Sequence, residues 1–181
     1  MRPPPKLPAD LLRDVAAPRE IVEWVRKMPA VDAPRTAWID APRAEWLPYI
    51  ATLRGVDHDA ILRTTCACAL ELAGPATDPE QERLNAVLTA GAEQGRKALA
   101  SVEPTLEDLR LKILAHGTNP PLPWMFWAKL VLELARTARR GNQLIGASLA
   151  MRMLVEARGR RANTELIARF RDKLTLGDSA S

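Results

Sequence analysis

The last third of the chain constrains the fold most. Between positions 124 and 174 the residues read as nearly continuous helix, first very apolar and then strongly basic. The stretch Trp124-Met125-Phe126-Trp127-Ala128-Lys129-Leu130-Val131-Leu132-Glu133-Leu134 has too little polar surface for a helix on the outside of a domain. It must be wrapped by the rest of the chain or by a partner. Lys129, Glu133, Arg136 and Arg140 fall at i, i+4, i+7 and i+11, a narrow polar stripe on an otherwise buried cylinder. Residues 142–158 repeat the pattern with a stripe at Ser148, Arg152 and Glu156, so both helices are expected to be central. Residues 163–174 read as an ordinary amphipathic helix, with Leu166, Ile167, Phe170 and Leu174 inward and Arg169, Asp172 and Lys173 outward.

The rest of the chain agrees with an all-α protein. Ala, Leu and Arg dominate, β-branched and aromatic residues are sparse, and 47% of the 181 residues are hydrophobic. The expected architecture is a compact bundle of about six to eight helices. Residues 1–8 form a proline-rich extended arm, 9–176 a single helical domain with a candidate sub-boundary at 117–123, and 177–181 a flexible tail. A short helix is expected over 9–17 and another from Pro18 to Met28. Pro29, Pro34, Pro42 and Pro48 then punctuate a stretch whose bulky residues, Trp38, Trp46 and Tyr49, plug the core from short or irregular elements. Asp57 and Asp78 are N-cap residues for helices ending near Gly74 and fading past Gly95, with Gly91 and Gly95 inside the second. Thr105 is expected to cap a helix over 106–116 that turns Leu106, Leu109, Ile113 and Leu114 inward. Asn142 and Asn163 are expected to cap the last two helices, joined by the tight connections at Gly141-Asn142 and Gly159.

Residues that carry chemistry elsewhere have bland readings here. Cys66 and Cys68, two apart on a helix, point about 200° apart and cannot share a metal. His58 sits between Asp57 and Asp59 at a helix start, where the acids suit the backbone dipole. His116 stands near a helix C-terminus, suited to a cap contact. Glu80/Glu82 and Glu107/Asp108 crowd first turns, where capping accounts for them. No Gly-rich phosphate loop is present. No cofactor and no metal site is expected, and no apolar run reaches the roughly 18–20 residues of a membrane span. The N-terminus lacks the apolar core of a signal peptide, which sets the expectation of a cytoplasmic protein.

Charge is unevenly placed. Positions 129–173 hold eleven Lys/Arg and four Asp/Glu, about +7, against a net +4 for the whole chain. That asymmetry suits an anionic partner or an intramolecular match between two halves. Two functional expectations follow. The first is a non-catalytic helical protein-interaction module, an adaptor, chaperone-like factor or immunity-type binder. Trp124 and Trp127 would be its anchors and Arg136 and Arg140 would set orientation. The alternative is binding of nucleic acid or another polyanion through Arg158, Arg160, Arg161, Arg169 and Lys173. A helical enzyme built on His58 or Cys66 has the least support. A homo-oligomer is compatible with the sequence.

Overall fold

Prolines begin helices in this chain more often than they break them. The computed structural model describes residues 6–117 and 122–178, so residues 1–5 of the expected 1–8 arm, most of the 117–123 break and the last three residues lie outside it, and Pro8, expected in the arm, already begins a helix. Among the described residues there are eleven α-helical segments, two 3-10 turns and no strand. Six of these helical segments carry Pro in their first turn, where a missing N–H costs nothing and a fixed φ is already helical. They are α1 (Pro8–Asp14), α3 (Ala33–Asp40), α4 (Leu47–Thr52), α6 (Pro79–Gln94), α9 (Pro123–Arg139) and the 3-10 turn Glu103–Leu106. Pro18 stands at the N-cap position of α2 (Arg19–Arg26). The count therefore exceeds the expected six to eight. Pro34 and Pro48 start helices in a stretch expected to be broken by them.

Gly95 adds another. It does not lie inside a helix; its φ of 60° ends α6 and starts α7 (Arg96–Val102), a backbone state that favours glycine. Space forbids a side chain there as well, because a Cβ would collide with the Asp59 carboxylate. The two Asp caps hold as expected. Asp57 accepts from the backbone N–H of Asp59 and Ala60 at the start of α5 (His58–Ala73). Asp78 accepts from the N–H of Gln81. Three expected caps fail, Thr105, Asn142 and Asn163. Thr105 lies within the 3-10 turn and donates its hydroxyl to Val102 O at 2.7 Å. Asn142 occupies the N-cap of α10 (Gln143–Arg158) without a side-chain cap bond.

Asn163 has a different job. The last helix, α11 (Arg160–Asp178), starts three residues earlier than expected and runs past Leu174, leaving Asn163 inside it. Its side-chain amide accepts from Ala44 N and donates to Pro42 O, both at 2.8 Å. It thereby satisfies the backbone just before the 3-10 turn Ala44–Trp46, where no helix ladder is available.

One hydrophobic cluster extends from Ala9 to Leu174. At its centre α9 packs on α6, α7 and α10, while α10 also meets α4, α5 and α11. Both stripe-bearing helices are central, as their thin polar faces require. Leu166, Ile167, Phe170 and Leu174 all turn inward from α11. Trp38 meets Phe170 with ring centroids 6.4 Å apart, and Trp24 meets Trp46 at 5.4 Å. Close approach of α9 and α10 is marked at Gly146, where an added Cβ would collide with Thr137 Oγ1. The exception to dense packing is α8 (Glu107–His116), since Leu109 is its one buried residue.

Candidate functional site

A helix at the edge of a bundle turns one face to its neighbours, and α8 carries too many apolar residues for one face. Taking Leu109 as the inward direction, Ile113 lies about 40° away, but Leu111 and Leu114 lie about 200° and 140° away. Leu111 is accordingly 55% exposed and Leu114 63%, against the expectation that Leu114 faces the core. Ile113 is partly buried. Across from it, Leu132 of α9 is also only partly covered. Between them lies a groove of about 420 Å³. Ile113, Leu114 and Leu132 supply its apolar lining, and Arg110, Lys129 and Arg136 line it with the acids Glu103, Glu107 and Glu133.

The acids in this groove are all engaged. Glu103 pairs with Arg139, Glu107 with Arg110 at 2.7 Å, and Glu133 with Arg136 at 3.5 Å. The hydrogen-bonded Arg110 holds the Glu107 carboxyl below the usual carboxylate range. Lys129 is the exception: it is exposed and has no ion pair among the described residues. On the far side, α8 is tethered to α6. Asp108 pairs with Arg83 at 2.7 Å and Glu80 with Lys112 at 2.9 Å. These first-turn acids thus do more than suit the helix dipole.

The structure brings one of the expected partner-binding residues, the orienting Arg136, into this groove. Trp124 and Trp127 do not line it; both are partly buried and packed against the core, with Trp127 edge-on to Phe126 at 5.0 Å. Arg140 is exposed on the same stripe, one turn beyond the groove. The spacing places a helix over 106–116, as found, but it does not single out α8 as part of a site. The signal was present in Leu109, Leu111, Ile113 and Leu114, which no single helical face accommodates.

The basic C-terminal residues are distributed among internal partners. Glu71 near the end of α5 pairs with both Arg169 and Lys173, which are half-buried rather than exposed. Both cations hold the Glu71 carboxyl below its ordinary value. Arg158 donates to Leu72 O, and Arg171 donates to Trp38 O and Ile39 O while lying over the Trp38 ring. Cations thus sit at the C-terminal ends of α5 and α3, where the helix dipole is negative. Arg161 is exposed, and the side chain of Arg160 lies outside the described ones.

The residues with catalytic potential are placed for structure. Cys66 and Cys68 are free and fully buried, and burial pushes both thiols up to about 12. The Asp57-His58-Asp59 triplet serves two helix starts, since Asp59 accepts from Arg96 N at 2.6 Å while Asp57 caps α5. His116 ends α8 before Gly117. Among the described residues no cluster of three His, Cys, Asp or Glu could hold a metal ion, and no helix is long and apolar enough to cross a membrane.

A second depression of about 390 Å³ lies between Arg43, Trp46 and Tyr49 on one side and Ile145, Leu149 and Arg152 of α10 on the other. Its rings belong to the core: Trp46 and Tyr49 are buried, and burial raises the Tyr49 phenol. Its cations are paired, Arg43 with Glu20 and Arg152 with Glu156. The α8–α9 groove is the better formed apolar site. Comparison with known proteins assigns neither, for no protein-family model, curated protein or solved structure matches this chain.

Proposed function

We propose that the chain is a non-catalytic protein-interaction module and that the α8–α9 groove is its docking surface. One observation carries this reading. A helix with a single buried residue displays Leu111 and Leu114 beside an apolar groove, a surface that water solvates poorly. Leu122, at the start of α9, is 44% exposed and adds to the apolar surface around this helix pair. The anchors of this reading are Ile113, Leu114 and Leu132, with Arg136 at the rim. Trp124 and Trp127 support α9, which presents Leu132 and Arg136.

The test is co-purification from the native host after nuclease treatment, comparing the natural chain with Leu114→Gln. Leu114 is mostly exposed, so the substitution should leave the melting temperature within a degree or two while the partner is lost. A partner retained in full by a folded Leu114→Gln protein would contradict the reading.

Binding of nucleic acid by the C-terminal helices is the weaker proposal. Arg158, Arg169 and Lys173 already have carbonyl or carboxylate partners, and a phosphate would have to displace them. Arg161 remains as an exposed cation on α11. Charge reversal there should leave partner binding intact.

A further inference from the structure

We propose that the occupant of the α8–α9 groove is an acidic amphipathic helix from another protein, a step that rests on the docking reading above. Shape and backbone chemistry select a helix. No strand is present among the described residues, so there is no sheet edge to which an extended peptide could add. Recognition must run through side chains. The groove follows α9 from Lys129 to Arg136, a rise of about 10 Å or two helical turns. An apolar stripe at i, i+3 or i+4, and i+7 on an incoming helix matches that length and meets Ile113, Leu114 and Leu132.

Charge selects the flank of that helix. Every carboxylate lining the groove already has an arginine partner, whereas Lys129 has none among the described residues. The uncompensated charge at the groove is therefore positive. Arg139, already paired to Glu103, and the exposed Arg140 keep the neighbouring turn of α9 cationic. A carboxylate on the incoming helix, one turn from its apolar stripe, pairs with Lys129. A basic flank would meet Lys129 and Arg136 with like charge and no free acid to offset it.

A displayed library of single-helix peptides, randomised on one face and selected against the full chain, tests this. The selected peptides should carry two or three large apolar residues at helical spacing with Asp or Glu beside them. Their affinity should fall about tenfold on Leu114→Gln and at least about threefold on Lys129→Glu. Reselection against the Lys129→Glu protein should replace the acids by Lys or Arg. Peptides that respond to Leu114→Gln but show no acidic preference would overturn the acidic helix and leave the docking surface standing. Failure to select any binding peptide would overturn the helical occupant. If the chain itself dimerises in sedimentation and Leu114→Gln abolishes the dimer, the occupant is a second copy and the proposal falls. Selected peptides that bind normally to the Leu114→Gln protein would place the contact elsewhere and remove both readings.

Discussion

Close packing makes single atoms matter at two places. Gly146 lets α10 approach the buried Thr137 of α9, whose hydroxyl is already committed to Glu133 O and Leu134 O. Gly146→Ala should destabilise the protein by about 1–3 kcal/mol, despite the better helix propensity of alanine, because the added methyl has nowhere to go. Chemical denaturation would measure this. Thr137→Ala in the same chain should recover part of the loss, since the two substitutions share one contact. Equal loss in the single and double variants would show that the collision is not the cause. The cysteines give a second test. Both thiols titrate far higher folded than unfolded, so the unfolded chain loses protons first as pH rises above about 9. Their burial contributes fully below that pH, and stability should decline progressively toward pH 12, more steeply than in a Cys66→Ala/Cys68→Ala variant. Native protein at pH 8 should resist thiol reagents that label the unfolded chain at both positions.

Among the described α-helices, α8 buries the fewest residues. It buries Leu109 and is otherwise tethered by the exposed pairs Asp108–Arg83 and Glu80–Lys112. Its amides should exchange with solvent faster than those of α5, α9 or α10, and faster again in high salt, where exposed pairs are screened. Acid should act similarly. The Asp108 and Glu80 carboxyls are held below their ordinary values by Arg83 and Lys112. Their tethers therefore contribute above the unfolded carboxylate range and fade as pH falls through the lowered folded values, below about 4. Uniform protection across α8 and α9 at both salt concentrations would contradict this account.

The element scale also shows what the sequence makes legible. Strong periodicity placed α9, α10 and α11 to within a few residues, and Asp57, Asp78 and the terminal glycines marked boundaries through local capping chemistry. Residues whose role depends on distant partners were not legible. Asn163 looked like a cap because its amide suits one; its use in satisfying Pro42 and Ala44 depends on tertiary neighbours. Arg169 and Lys173 looked solvated because Glu71 lies about a hundred positions away. The groove was half visible. Arg136 stands out on the α9 stripe, but most of the apolar wall comes from α8, where the spacing puts Leu114 inward on a face that cannot hold it.

On the scale of the whole molecule, the charge polarity is largely resolved inside the fold. The basic last third meets the acidic remainder at Glu71–Arg169, Glu71–Lys173 and Glu103–Arg139, and it meets helix C-termini through Arg158 and Arg171. What stays unresolved lies on one side: the displayed leucines of α8, the groove beside α9, and Lys129. The account places the working surface there. A diazirine analogue of leucine at position 114, which keeps the shape and apolarity of that anchor, with a diazirine residue at the exposed Arg63 position as control, tests that most directly in the native host. A near-stoichiometric adduct with one other protein from position 114, and none from position 63, is the expected result. No adduct at 114, or equal labelling from both positions, would contradict a docking surface between α8 and α9.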